Sequence, residues 1–238
     1  MRINSLIDSK ELQKDVATLF SEEAHHLVRV LRVKAGQEIV LFDGAGQVAE
    51  AVLESVSKQL ITARVQHRFS IPAPTVQIDL MQALPKLDRW DLILQKGVEL
   101  GVRHIWPLKT QHTIFSPNEK RHKRWEKIIL NAAQQCEVRW LPVLHSTQDL
   151  SFICTQLSEY DLVLVGSLYD GAQPLRKVLA GKTPKKVALL IGPEGDFSEK
   201  EVQLLQQAGA IPVSFGDRIL RTETAAIFGL SVLAYEFF

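Results

Sequence analysis

Two loops near the C-terminus carry residue types that suit a small-molecule site. The first, Ile191-Gly192-Pro193-Glu194-Gly195, follows an apolar run and precedes a helix start at Ser198. Two glycines around a proline give a tight backbone that a ligand can approach closely, with N–H and C=O groups available for hydrogen bonds. A plain turn would have the same sequence, so this loop by itself is weak support for a site.

The second loop, residues 214–225, leads into the last predicted helix. At the start of that helix it places two charged and two hydroxyl side chains, Arg221, Glu223, Thr222 and Thr224. A threonine cap and a surface ion pair between Arg221 and Glu223 or Asp217 would explain part of this group. Four polar side chains are more than capping requires, and we interpret the loop as the second part of a site.

These loops must be positioned by the elements around them, and strands alternate with helices from Thr75 onward. The predicted strands cover residues 76–83, 104–108, 161–165, 186–191 and 211–215. Two of the helices between them begin at capping boxes, Ser116 to Glu119 and Ser198 to Glu201, and the last helix covers residues 221–238. Such alternation predicts a mostly parallel sheet with helices on both faces, and ligands bind at the carboxyl ends of its strands.

The first seventy residues have a different pattern. A helix is predicted from Ser21 to about Gly36, followed by short strands at residues 38–42, 47–53 and 60–66. Short strands separated by glycine turns predict a small antiparallel sheet or barrel. Two prolines in Ile71-Pro72-Ala73-Pro74 indicate an extended linker, so we expect two domains, at residues 1–70 and 75–238.

The composition is that of a globular protein and excludes several classes. Of 238 residues, 46% are hydrophobic and 23% are charged, and no apolar stretch is long enough to span a bilayer. The N-terminal residues have no signal-peptide pattern, and Cys136 and Cys154, the only two cysteines, suggest neither a disulfide framework nor a zinc site. We therefore expect a cytoplasmic protein with no metal and no membrane partner.

Positive charge is concentrated in one region, although the formal net charge is only +1. Between Lys86 and Arg139 there are eleven lysines and arginines against six aspartates and glutamates, and the run from Lys120 to Arg124 is the densest part. A local basic face can bind phosphate groups, although a solvated helix face would have the same composition.

The two C-terminal loops, Gly192 to Gly195 and Arg218 to Ala225, resemble the SPOUT superfamily of methyltransferases that use S-adenosylmethionine (SAM). The second loop resembles one branch in particular, the RsmE family, which methylates N3 of a uridine in 16S ribosomal RNA. Three further blocks match that family in order: His25 to Arg32, Lys96 to Val102 and Ala132 to Cys136. The second loop and these three blocks make four in order, spread over the whole chain, and together they are far more specific than any single one.

The resemblance implies an α/β fold, in which a SPOUT-type knotted, mostly parallel sheet domain is preceded by a small PUA-like β-barrel domain that binds RNA. SAM would lie among three loops of the knot. The residues implied as cofactor-binding are Leu164, Gly166, Gly192, Pro193, Glu194, Gly195, Phe215, Gly216, Ile219, Leu220, Arg221, Thr222 and Thr224. A homodimer is also implied, and the final helix, which is apolar on more than one face, is its expected interface.

The methyl donor determines which catalytic groups the chain needs. The methyl group of SAM is already activated, so the enzyme must align the uridine and help its N3 proton to leave. Arg221 is the candidate to stabilise the resulting anion, and Glu223 is the candidate to orient Arg221 or to accept the proton. A purely structural role for both residues is the alternative.

The residues expected to bind RNA, in 16S ribosomal RNA or the assembled 30S subunit, are His25, Arg29, Arg32, Lys34, Lys86, Lys96 and Arg139. The first three fall at i, i+4 and i+7, which is one helix face. The structural alternatives are that His25 packs at the domain junction and that Lys96 pairs with Glu99. The four tryptophans, Trp90, Trp106, Trp125 and Trp140, are expected in the core.

Two positions depart from the family pattern. Asp196 stands where the family usually has another glycine, and it would act as an extra helix-start acid or crowd the SAM site. Glu137-Val138-Arg139 replaces Gly-Arg, which displaces the arginine by one position. These departures leave a non-catalytic RNA-binding relic as one alternative. A SPOUT methyltransferase acting on transfer RNA or on a ribose 2′-hydroxyl is the other.

Overall fold

The computed structural model of the chain describes residues 3–113, 117–169 and 171–238, without the side chains of residues 21, 22, 87 and 88. The predicted capping box at Ser116 therefore lies outside the described residues. The chain forms two compact units, Met1–Ala73 with Ala133–Leu141, and Pro74–Ala132 with Pro142–Phe238. The chain passes from the first unit to the second within the proline-rich linker. Residues Ala133–Leu141 belong to the first unit again, and the sequence does not predict this because they begin within a long helix, Glu119–Gln135.

The first unit is built on a five-stranded sheet. Its elements are β1 (Asn4–Leu6), α1 (Ser9–Leu12), β2 (Val16–Phe20), α2 (Ser21–Arg29), β3 (Glu38–Phe42), β4 (Gln47–Val56) and β5 (Leu60–Ser70). The strand order is β1-β3-β4-β5-β2, with β1 parallel to β3 and the other neighbours antiparallel. The three predicted strands are confirmed. The sequence analysis does not predict β1 and β2; β1 has only three residues, which is too short for a clear periodicity.

Helix α2 is shorter than predicted. It ends at Arg29 instead of continuing to Gly36, and Arg32 has a left-handed backbone with φ of 53°. Val33 is buried in the core of this unit, and its N–H donates to the Leu27 carbonyl at 3.2 Å. Burial of Val33 thus competes with helix continuation, and the weak helix propensity of valine favours the exit.

The second unit is an α/β domain with an eight-stranded sheet. Its elements are β6 (Gln77–Ala83), α3 (Leu87–Glu99), β7 (His104–Lys109), α4 (Glu119–Gln135, whose last residues belong to the first unit), β8 (Val143–Leu144), β9 (Gln148–Asp149), α5 (Leu150–Gln156), a 3-10 turn (Leu157–Glu159), β10 (Leu162–Gly166), β11 (Gln173–Pro174), α6 (Leu175–Leu179), β12 (Lys186–Ile191), α7 (Glu199–Gln207), β13 (Ile211–Ser214) and α8 (Thr222–Phe237). The order is β11-β13-β10-β12-β6-β7-β8, with β9 beside β7, and the recorded pairs are parallel. The predicted parallel sheet is therefore confirmed, as is the capping box at Ser198 and Glu201.

Two tryptophans and the final helix anchor the core of this unit. Trp90 and Trp125 are buried and meet edge to face with ring centroids 5.3 Å apart, which confirms their predicted core positions. Gly229 lets α8 approach β12, because a Cβ at that position would lie 2.8 Å from the Leu189 side chain. Within the described part of the chain, no helix combines the length and apolar character that crossing a membrane requires.

Titratable side chains cluster at the amino-terminal edge of the parallel sheet. The Asp79 carboxylate accepts hydrogen bonds from the Tyr160 hydroxyl at 2.6 Å and the Gln77 amide at 2.8 Å, and burial raises the pKa of this carboxyl. His104 Nδ1 and His145 Nε2 share a hydrogen bond at 2.8 Å. Burial lowers the pKa of both histidines. One of the two nitrogens must be unprotonated to accept the bond, and burial disfavours positive charge on either ring, so the folded state disfavours protonation of both rings.

We predict that stability falls as the pH falls through about 6.5, the ordinary histidine pKa. Below that value the unfolded chain binds protons at His104 and His145 that the folded chain takes up only at lower pH. His145→Phe keeps a ring against Trp106, which stacks on His145 with centroids 3.4 Å apart, and removes one titrating group. The free energy of unfolding, measured by denaturant titration between about pH 5.5 and 7.5, should therefore depend less on pH in this variant.

The matched control is His67→Phe, the same chemical change at an exposed histidine. It should keep the pH dependence of the unmodified protein. Equal slopes for His145→Phe and the unmodified chain would contradict the assignment.

Candidate functional site

Three loops at the carboxyl ends of β10, β12 and β13 surround a cavity of about 460 Å³ in the second unit. The first loop begins at Gly166, the second covers Gly192 to Asp196, and the third covers Ser214 to Thr222. Parallel strands end at the same edge of a sheet, and for this reason loops distant in sequence meet there. Arg89, from the first turns of α3, completes the wall.

Most of the residues predicted to bind the cofactor line this cavity. They are Gly166, Gly192, Pro193, Glu194, Gly195, Phe215, Gly216, Ile219, Leu220, Arg221 and Thr222. The structure does not bring the other two to it: Leu164 is buried inside β10, and Thr224 is exposed on the first turn of α8. Leu164 lies two residues before the end of its strand, whereas the cavity is lined by residues at the strand ends and in the loops that follow them.

Eight lining residues are absent from the predicted cofactor-binding set. They are Arg89, Ser167, Leu168, Ile191, Asp196, Ser214, Arg218 and Ala225. Ile191, Ser214, Arg218 and Ala225 belong to the two loops predicted as a site, and Asp196 was expected either as a helix-start acid or as a residue that crowds the SAM site. Ser167 and Leu168 directly follow Gly166, so extending that loop by two positions would have found them. Arg89 gives no such signal, because the packing of α3 against α8 brings it to the cavity from far away in the sequence.

A buried set of hydrogen bonds fixes two of the loops to each other. The Thr222 hydroxyl donates to the Gly192 carbonyl at 2.6 Å. The Gln82 amide, fully buried at the end of β6, donates to the Thr222 oxygen at 3.0 Å and to the Ala83 carbonyl at 2.9 Å. The threonine cap expected from Thr222 or Thr224 is therefore not formed; the N-cap is Arg221, whose side chain makes no capping bond.

Gly166 sets the width of the cavity beside the first loop. A Cβ at this position would lie 3.1 Å from Ile191 and 3.1 Å from Phe215, which is tighter than ordinary van der Waals contact. A larger residue would therefore push these two walls apart. The close approach explains the glycine at this strand end, where the sequence offered little else to support a binding loop.

Asp196 adopts an unusual backbone and joins two of the loops. Its φ is 56°, in the left-handed region that favours glycine. The carboxylate accepts hydrogen bonds from the N–H of Phe197 at 2.8 Å and of Leu168 at 3.2 Å. Burial raises the pKa of this carboxyl, and the two N–H groups act in the opposite direction. Asp196 is thus a part of the cavity wall and does not act as the predicted helix-start acid, since Ser198 caps α7.

The charged residues at the α8 start pair differently from the expectation. Glu223, whose side chain is 12% exposed, bonds Arg89 with 3.3 Å between Oε2 and Nη1, and Glu194 lies 3.9 Å from the same nitrogen. Arg221 is exposed, and its side chain has no ion pair among residues 3–113, 117–169 and 171–238. The alternative ion pair of Arg221 with Glu223 or Asp217 is therefore not formed among the described residues. Glu223 pairs with Arg89 instead, so it does not orient Arg221.

The residues predicted to bind RNA differ in exposure and do not share one helix face. In the first unit, His25, Arg29, Arg32 and Lys34 are exposed, so His25 is not the packed residue of the structural alternative. Arg32 lies beyond the end of α2, and the predicted helix face that it shares with His25 and Arg29 does not exist.

The remaining RNA candidates make contacts within their own units. In the second unit, Lys96 bonds Glu99 at 2.8 Å, as the structural alternative predicted, and Lys86 is exposed while its backbone N–H donates to Glu194 at 3.1 Å.

Arg139, the arginine that is displaced by one position from the family pattern, is held inside the first unit. Arg139 donates to Asn4 Oδ1 at 2.8 Å and lies over the Phe42 ring, 5.2 Å from its centroid. Only 9% of its side chain is exposed, which leaves little of it for a phosphate. Glu137 has φ of 59°, so both departures from family glycines fall at left-handed positions. Trp140 adjoins this segment, and its indole N–H donates to the Ile71 carbonyl at 3.0 Å.

Comparison with known families agrees with this geometry. A model of the RNA methyltransferase domain matches residues 72–234, and a model of the RNA methyltransferase PUA domain matches residues 21–66. Ribosomal RNA small subunit methyltransferase E of Bacillus subtilis is 30% identical, over 97% of this chain and 95% of the relative. The chain belongs to this family of RNA methyltransferases.

Solved structures of the family are similar over nearly their whole length. A methyltransferase of Legionella pneumophila, in complex with bound SAM, has a TM-score of 0.91 and 31% identity, covering 99% of this chain and 98% of that one. The family's Neisseria gonorrhoeae enzyme, bound to SAM, has a TM-score of 0.88 and 28% identity at the same coverage. These findings confirm the predicted fold class, an α/β parallel-sheet domain after a small PUA-like β domain.

We predict that Thr222→Val destabilises the protein by about 1–3 kcal/mol. The change keeps the side-chain shape but leaves the buried Gly192 carbonyl and Gln82 amide without their hydroxyl partner. Denaturant unfolding of the full chain measures the loss.

The control is Thr224→Val, the same change at an exposed position two residues later in α8. It should shift stability by no more than about 0.5 kcal/mol. Equal effects of the two variants would show that the buried bonds do not stabilise the loops.

Proposed function

We propose that this family member transfers a methyl group from SAM to N3 of a uridine in 16S ribosomal RNA, on the free RNA or in the assembled 30S subunit. The observation that carries the proposal is the convergence of the three loops, with Arg221 at their mouth, on one cavity. The names of the relatives favour ribosomal RNA over transfer RNA. A trefoil knot remains a prediction of the resemblance, and a cytoplasmic location remains a prediction from the composition and the N-terminal sequence.

The residues around the cavity fit SAM. Apolar side chains of Ile191, Phe215 and Ile219 can enclose a flat adenine ring. The closeness of Gly166 to Phe215 leaves a narrow slot where the backbone itself forms the wall. Acidic and basic side chains on the rim suit the charged amino-acid end of SAM. Among the described residues, no cluster of His, Cys, Asp and Glu could hold a metal ion.

When bound, SAM supplies a methyl group on a sulfonium, which becomes a neutral thioether as the methyl leaves. The chain must therefore prepare the other reactant. Arg221 is exposed and unpaired among the described residues, so its guanidinium is available to stabilise negative charge on the uridine as the N3 proton departs. Glu223 is nearly buried and held by Arg89, which keeps its carboxylate in place as a proton acceptor.

We infer that the exposed cations of the first unit, His25, Arg29, Arg32 and Lys34, contact the RNA. They lie in or beside the stretch that the PUA-domain model matches. Phosphate contacts of this kind position an RNA without reading its sequence. On this proposal residues 1–70 bind RNA, with Lys86 and Lys96 as further candidates on the second unit, and residues 75–238 bind SAM.

We predict that Arg221→Ala lowers methyl transfer at saturating SAM about a hundredfold, because preorganised charge at a reacting centre contributes about 3 kcal/mol. Arg221→Lys keeps the charge but loses the planar fork, so it should restore part of the rate. Single-turnover methylation of ribosomal RNA, followed by mass spectrometry for N3-methyluridine, measures both variants.

Arg176→Ala serves as the control, since it removes one exposed positive charge from α6, outside the cavity. A catalytic role for Arg221 requires an unchanged melting temperature and SAM affinity. Loss of stability or of SAM binding with an unchanged rate would return Arg221 to a structural role.

We also propose a homodimer formed through the exposed side chains of α8. Leu230 and Leu233 are buried in the single chain, so they belong to its core. Phe228, Val232 and Tyr235 follow one another at i, i+4 and i+7, and Tyr235 is 89% exposed. Such a stripe of large side chains is suited to a second copy of the chain.

We predict that Tyr235→Arg yields a monomer in light scattering, because burying an unpaired charge in the interface is costly. Gln207→Arg, which adds the same charge at an exposed position of α7, should leave the dimer intact. A monomeric unmodified protein would contradict the proposed dimer itself.

A further inference from the structure

Asp196 brings a carboxylate into the cavity wall at a backbone position that suits glycine. It is half-buried and lines the cavity beside Gly192 and Gly195. At φ of 56°, most side chains would be strained. Aspartate tolerates this region because its short side chain can bond neighbouring backbone groups, which the carboxylate does with Phe197.

The carboxylate is satisfied by neutral donors and not by a cation. Its partners are the backbone N–H groups of Phe197 and Leu168, at 2.8 and 3.2 Å. In the described part of the chain, no lysine or arginine lies within ion-pair distance of it. The other acid in the wall, Glu194, faces Arg89 at 3.9 Å. His112 is a neighbour whose charge would favour the carboxylate form, and its Nδ1 shares a hydrogen bond with the Asp196 backbone oxygen at 3.0 Å. Asp196 therefore contributes a negative charge that no lysine or arginine among the described residues neutralises.

We propose that Asp196 is a specificity-determining residue that favours cationic SAM over its neutral product, S-adenosylhomocysteine (SAH). This inference rests on the proposed function. The two molecules differ by one methyl group and one positive charge at sulfur. A cavity discriminates a single methyl group weakly. A partly desolvated carboxylate attracts the cation and does little for the neutral thioether, so it also limits inhibition by the product.

Isothermal titration calorimetry of the full chain with SAM and with SAH tests this assignment. The unmodified protein should bind SAM more tightly than SAH. Asp196→Asn removes the charge at nearly constant shape. In this variant we expect the dissociation constant of SAH divided by that of SAM to fall about tenfold, which is the size expected for one charge interaction at a partly buried site. Asp149→Asn makes the same charge change at an exposed position outside the three cavity loops, and it should leave the ratio unchanged.

A second variant, Asp196→Gly, suits the left-handed backbone and covers the case in which Asp196→Asn fails to fold. It should shift the ratio in the same direction. If the variants weaken SAM and SAH equally, Asp196 only joins the two loops and the inference is overturned. If the unmodified protein binds neither ligand, the proposed function fails instead.

Discussion

The hydrogen bond from the Thr222 hydroxyl to the Gly192 carbonyl is the contact on which the cavity depends. It joins two loops that lie thirty residues apart in sequence, and it is buried, so neither group can turn to water. Gln82 completes the connection because β6 pairs with β12 in a register that places Gln82 opposite Ile191, just before Gly192. A buried polar group without its partner costs more than the bond itself contributes. The loop after β12 is therefore fixed with respect to the start of α8.

Some charged residues around the cavity pair with each other, and others are left available for the reactants. Arg89 pairs with Glu223 and lies near Glu194, which connects α3 to the loops and holds Glu223 in place. Arg221 and Asp196 are left without an ion pair in the regions of the chain that the structure describes. They have opposite signs, and the proposed reactants do too. Arg221 suits the anion that forms on a uridine, and Asp196 suits the sulfonium of the methyl donor.

The two edges of the parallel sheet carry different kinds of polar side chains. Loops form the site at the carboxyl edge, where strand ends leave the backbone free to approach a ligand. At the amino edge, Asp79 and the pair of His104 and His145 are partly or fully buried and bonded to neighbours. Burial shifts the pKa of each of these groups, and none of them lines the cavity. Substitutions there should therefore alter the pH dependence of folding without changing the cavity wall.

The sequence by itself determined the α/β class, most strand positions and most of the residues that line the cavity. Periodic apolar runs and a capping box depend on neighbours in the chain, and so they can be read locally; Lys186–Ile191 and the Ser198 cap are examples. Loops that follow strands were predictable for the same reason.

Only the tertiary structure decided which side chains meet. Arg89 reaches the cavity by helix packing, and Glu223 therefore pairs with it and not with Arg221. Thr222 bonds a distant carbonyl instead of capping α8, and Val33 ends α2 early because the core buries it. Arg139 lies over Phe42 because Ala133–Leu141 returns to the first unit. In each case a contact between residues far apart in sequence outweighs a local preference of about 1 kcal/mol or less, and no local pattern records such a contact.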